Sequence, residues 1–68
     1  MTQPTQHTVL PFSERIDCDE CLTQQNVGET YYTDVYYPEY DDVFYNCQYC
    51  YDYWLINIKP TITNPNYL

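Results

Sequence analysis

One glycine, two cations and no long apolar run mark this chain more by absence than by content. With Gly28 alone free of the Cβ restriction on positive φ, the sequence cannot build glycine-rich loops around phosphates. Arg15 and Lys59 stand against ten Asp and Glu, a formal net charge of −8, so nucleic-acid phosphates and anionic membrane surfaces repel it. Direct nucleic-acid binding and membrane binding are therefore not expected. No segment approaches the roughly 20 apolar residues of a membrane span, and the N-terminus has neither the cationic start nor the apolar run of a secretory signal. A cytoplasmic protein is expected, in the host cytoplasm if the chain is phage-encoded. His7 is the only histidine and lies on a polar stretch. No Ser/His/Asp set or catalytically spaced carboxylate pair is present, so an enzyme is not expected.

What is present is aromatic and sulfur-rich. Ten tyrosines, Trp54 and two phenylalanines argue against the disorder that such charge would otherwise imply. Four cysteines form two close pairs, Cys18/Cys21 and Cys47/Cys50, each spaced C-x-x-C. Below roughly 70–80 residues a hydrophobic core rarely suffices alone, and metal, disulfides or oligomerisation make up the difference. Without export the thiols stay reduced, and paired C-x-x-C motifs read as metal ligands. Four thiolates in a tetrahedron suit a structural Zn²⁺ and leave no open position for catalysis. The alternative for such a site is iron, held for electron transfer as in a rubredoxin, although the glycines around rubredoxin knuckles are missing.

Along the chain, residues 1–8 read as a flexible polar arm, residues 9–59 as a single domain and residues 60–68 as a tail closed off by Pro60 and Pro65. Glu29–Tyr37, Val43–Cys47 and Tyr51–Lys59 are rich in Tyr, Val, Ile and Thr and predict three strands. Alternation places Tyr31, Val35 and Tyr37 inward and Tyr32, Asp34 and Tyr36 outward. It also puts Trp54, Ile56 and Ile58 on one face. Pro38-Glu39-Tyr40-Asp41-Asp42 predicts the turn of a hairpin. Core tyrosines are expected at 31, 37 and 45, exposed ones at 32, 36, 40, 49 and 51.

Cys18-Asp19-Glu20-Cys21 and Phe44-Tyr45-Asn46-Cys47-Gln48-Tyr49-Cys50, each followed by a predicted strand, resemble the knuckles of the zinc ribbon family over residues 16–59. The resemblance implies a small all-β fold: a three-stranded antiparallel sheet with two cysteine knuckles and flexible termini, Cys18, Cys21, Cys47 and Cys50 holding one structural Zn²⁺. The sequence departs from the family in two respects. Leu22 and Tyr51 stand where glycine usually follows each pair, and the pairs lie farther apart than the usual 15–20 residues.

The carboxylates are spread over both knuckles, one strand and the hairpin tip. Fixed on β-structure they form an array able to imitate phosphates and to occupy the basic groove of a nucleic-acid-binding protein. Asp34, Glu39, Asp41, Asp42 and Asp52, with Tyr36 and Tyr40, are the expected contact residues. The expected activity is thus inhibition of a nucleic-acid-handling protein or complex, in the manner of acidic phage or viral proteins. A zinc-ribbon accessory subunit of transcription or translation machinery is the alternative.

Overall fold

The computed structural model describes residues 2–12 and 16–67. Glu14 and the cation Arg15 lie outside the described residues. In chain order the elements are β1 (Thr5–Thr8), β2 (Ile16–Asp17), β3 (Gln24–Gln25), β4 (Thr30–Tyr37), β5 (Asp42–Cys47) and α1 (Gln48–Asn57). Two 3₁₀ turns follow, Lys59–Thr61 and Pro65–Tyr67. β1, β4 and β5 form a three-stranded antiparallel sheet with β4 in the middle, and β2 pairs with β3 in a small ladder of its own.

The hairpin β4–β5 lies where its turn residues place it. Tyr40 N–H donates to Tyr37 O at 3.1 Å, closing a turn with Pro38 at the position whose φ proline already fits. Asp41 then takes a left-handed φ of 51°, which aspartate tolerates better than most residues, and returns the chain into β5.

The sheet's third strand is β1, in place of the segment after the second cysteine pair. The supposed flexible arm pairs Thr5–Thr8 with Thr33–Thr30, and His7 stacks on Tyr31 at 5.0 Å while its Nε2 lies 3.0 Å from Thr33 Oγ1. Farther on, Val9 is buried and exchanges backbone bonds with Gly28 and Glu29. The supposed tail is also packed: Ile62 is buried, Tyr67 stacks on Tyr36 at 3.7 Å, and Thr2 N–H donates to Asn66 O.

Residues 48–57 are helical, which corrects the third strand expected over Tyr51–Lys59. Trp54 is 2% exposed, whereas Ile56, two residues on, is 74% exposed; a strand would have put both on one face. Trp54 anchors the helix, its indole N–H donating to Tyr36 O at 2.6 Å. Around it gather Tyr32, Val35, Tyr36, Tyr37 and Ile62, with Tyr51, Leu55 and Ile58 packed at the edge. Tyr51 lies between Tyr32 and Trp54, 3.7 Å from one ring and 5.8 Å from the other. Pairs of this kind contribute about 0.5–1.5 kcal/mol each beyond their buried area.

A bulge sets which tyrosines are inside. Between Tyr32 and Val35 the β4–β5 register slips, and Asp34 takes a φ of 59° there. The extra residue reverses the alternation, so Tyr32 enters the core and Tyr31 is only half-buried. Val35, Tyr36 and Tyr37 are buried in succession, which requires cover on both faces of the strand. Tyr45, expected inside, is exposed. Tyr40 and Tyr49 are exposed as expected, and Tyr51 is half-buried.

Candidate metal centre

The first cysteine pair sits on the loop between β2 and β3. Cys18 N–H donates to Thr23 O, and Leu22 N–H reaches back to Cys18 O at 2.8 Å, folding the chain under the sulfurs. This fold requires Leu22 to adopt a φ of 62°, the left-handed conformation for which ribbon knuckles use glycine. The departure noted in the sequence is thus a strained side chain at an unchanged turn. Left-handed backbone costs a residue with a Cβ about 1–2 kcal/mol, partly offset by glycine's greater unfolded entropy. Leu22→Gly is therefore expected to hold or raise stability by up to about 1 kcal/mol. Leu22→Val, branched at Cβ, is expected to lower it; urea midpoints that place Val above Gly would refute this account of the knuckle.

The second pair is built differently. Cys47 ends β5 and serves as N-cap of α1, with an extended ψ of 172°, while Cys50 lies in the first helical turn. Cys47 makes no side-chain cap bond to the helix, but the positive end of the helix dipole favours thiolates at this point. The turn that glycine would form after this pair is replaced by the start of a helix, so Tyr51 occupies that position without strain. Asp19 ties the two halves together. Its N–H donates to Tyr45 O, and its Oδ2 accepts from Tyr45 N–H, both at 2.8 Å, so the first knuckle is fastened to the strand that carries Cys47.

These local structures bring the four Sγ atoms of Cys18, Cys21, Cys47 and Cys50 within 4.8 Å of one another. Cys21 Sγ and Cys47 Sγ are 3.7 Å apart. A tetrahedron with metal–sulfur bonds of about 2.3 Å has edges of about 3.8 Å, so the sulfurs are spaced for one shared ion and too far apart for a disulfide. Cys18 and Cys47 are buried, Cys50 is half-buried and Cys21 is exposed. The Thr23 hydroxyl, 3.2 Å from Cys21 Sγ, and the Thr23 backbone N–H stabilise that thiolate and lower its pKa to about 6. Burial pushes Cys47 and Cys50 the other way, toward the neutral thiol; a divalent cation among them inverts that preference. The four-cysteine site can thus hold a metal ion in a closed S₄ shell, consistent with a zinc-ribbon-like Cys domain. Beside it opens a groove of about 550 Å³ lined by Cys21, Thr23, Gln25, Glu29, Gln48 and Tyr49 among others.

The residues expected to meet a partner are not gathered in one place. Glu39, Tyr40, Asp41 and Asp42 are consecutive and exposed at the hairpin tip, where Tyr40 packs edge-on to Phe44. Asp34 is half-buried at the bulge, and Asp52 is exposed on α1. Tyr36 is corrected from a contact to a support: it is 5% exposed, and its hydroxyl donates to Asp41 Oδ1 at 2.6 Å, a bond that raises its pKa. Thr23 and Asp19 were missed as site residues. The signal available was a hydrogen-bonding side chain one or two positions from a cysteine, which many unrelated loops share.

No family model matches the chain, and no curated protein or solved structure is significantly similar to it. Among the described residues no helix is long and apolar enough to cross a membrane.

Proposed function

We propose that this chain is a non-catalytic zinc protein that binds a nucleic-acid-handling protein through its acidic surface and inhibits it. The four-cysteine site contributes structure. Zn²⁺ is favoured over iron because only the first pair folds through a left-handed turn, at Leu22, while the second runs directly into a helix, so the paired glycine turns of a rubredoxin site are missing.

The observation that carries the proposal is how the exposed carboxylates are held. Asp19 accepts from Tyr45 N–H, Glu29 from Asn26, Asp41 from Tyr36, Asp42 from Val43 N–H and Asp52 from Gln48. Each of these five acids is fixed through one oxygen by a neighbouring group, while among the described residues Asp17, Glu20 and Glu39 are exposed without such a bond. Acids that served only for solubility would need no such fixing, whereas a rigid array of negative charge lowers the entropy cost of meeting a basic groove. Two cations cannot neutralise ten carboxylates, and a bound Zn²⁺ with four thiolates takes the formal charge from −8 to about −10. Such a protein would act in the cytoplasm, the host's if it is phage- or virus-encoded.

The test is affinity capture from cytosol of the source organism or its host across a salt series, with Asp41→Asn/Asp42→Asn as the comparison. Asparagine tolerates the left-handed φ of Asp41 and keeps an oxygen for Tyr36, so the turn survives while two charges go. The expected result is a nucleic-acid-binding protein released by moderate salt and by competing DNA or RNA, with affinity for the double variant roughly tenfold lower. Capture indifferent to salt and to the two charges refutes the acidic mimic. Stoichiometric retention on a working polymerase or ribosome points to the accessory-subunit alternative.

A further inference from the structure

The outward side of α1 is apolar where a solvent-facing helix should be polar. At 100° per residue, Asp52, Ile56, Tyr49, Tyr53 and Asn57 follow one another around a single arc, opposite the arc that carries Trp54 to the core. Tyr49 is 85% exposed, Tyr53 57% and Ile56 74%. These three stand at i, i+4 and i+7, the spacing by which a helix presents a continuous stripe. Given the 150–250 Å² that an aromatic side chain can bury, the stripe offers on the order of 400 Å². That is the size of patch at which a small soluble protein carries a binding site, and about half of one side of a standard interface.

The edges of the stripe say what covers it. Asp52 borders one side, its carboxylate steadied by Gln48 Nε2 at 3.0 Å, and Asn57 borders the other. The helix carries no cation, and Lys59 beyond its end is the only Lys or Arg among the described residues. A second copy laid on this face would bring together two chains of −8, whereas a basic rim would meet complementary charge. We propose that the outer face of α1 docks an amphipathic segment of a partner protein, one whose apolar side chains pack on Tyr49, Tyr53 and Ile56 while flanking Lys or Arg face Asp52. Tyr49 and Ile56, at the centre of the arc, are the anchors. This surface does not depend on the acidic-mimic reading of the hairpin tip.

The test uses the full chain reconstituted with Zn²⁺ and three synthetic peptides of equal length. One alternates leucine and lysine at helical spacing, the second has glutamate for lysine, and the third has serine for leucine. In a ¹⁵N-resolved titration, the Leu/Lys peptide is expected to shift the amides of Tyr49, Asp52, Tyr53 and Ile56 saturably, and neither control should do so. Tyr49→Ser/Ile56→Ser is expected to weaken binding at least about tenfold with the remaining spectrum unchanged. Asp41→Asn/Asp42→Asn should leave it within about twofold, which separates this proposal from the one above. Because the mapping is made on the unaltered chain, it stands even if the double variant folds poorly. The proposal is overturned if the shifts lie elsewhere or if the Ser/Lys peptide binds equally well. It also fails if sedimentation shows a homodimer that Tyr49→Ser/Ile56→Ser dissolves.

Discussion

Cys47→Ser is expected to leave the chain without a stable fold, even with zinc in excess. Cys47 is buried at the junction of β5 and α1, where its sulfur is one of four in the cluster. Serine is nearly isosteric and is the better helix N-cap, so the substitution spares or improves the local helix signal. What it removes is one of the four thiols able to hold a metal ion together. Metal binding in small Cys₄ domains contributes about 10 kcal/mol or more, against a net stability of only about 3–5 kcal/mol for a chain of this size. Strong chelator with reductant should do the same to the unmodified protein. Collapse of amide chemical-shift dispersion in both cases is the expected reading. A chain that keeps its dispersion in chelator would show that the cluster does not hold the fold together, and the metal reading would fall with it.

Trp54→Ala is expected to cost about 3–5 kcal/mol, the range for truncating a buried large aromatic, and so to take most of the net stability. The indole fills the space between α1 and β4, touches Tyr51 and holds Tyr36 O by its N–H. Trp54→Phe separates these contributions. It keeps most of the packing, loses the 2.6 Å bond, and is expected to cost about 1–3 kcal/mol. Urea unfolding of the zinc-loaded variants measures both. A loss below about 1 kcal/mol for the alanine variant would mean that α1 is not anchored through this residue.

The cluster was legible in the sequence because ligand chemistry is local: two cysteines three apart can share an ion in any turn that brings their sulfurs together. The hairpin was legible because Pro38 and the acids after it restrict the backbone in a known way. The helix was not. Tyr51, Tyr53, Trp54, Ile56 and Ile58 have the aromatic and β-branched composition of a strand, and alternate positions happen to be apolar. Docking of Trp54 onto β4 and the cap at Cys47 override that preference, and neither is visible in local propensity. β1 was illegible for another reason. Thr5–Thr8 carries almost no apolar pattern, and it becomes a strand because β4 offers an unpaired edge. The inverted tyrosines trace to the single extra residue at the bulge, where Asp34 gives no hint that the register will slip.

The placement of Cys47 at the end of a hairpin strand has a consequence for the order of assembly. Each cysteine pair is a half-site available in the unfolded chain, but joining the halves directly means closing residues 22–46 into a ring. The hairpin does most of this beforehand, because its ladder sets Cys47 opposite Tyr31. Only residues 22–30 then remain to be closed, which lowers the loop-entropy cost by about 1 kcal/mol. The β4–β5 hairpin is therefore the preferred first event, and capture of an ion by the four sulfurs would be the step that locks the first knuckle onto a strand already in place.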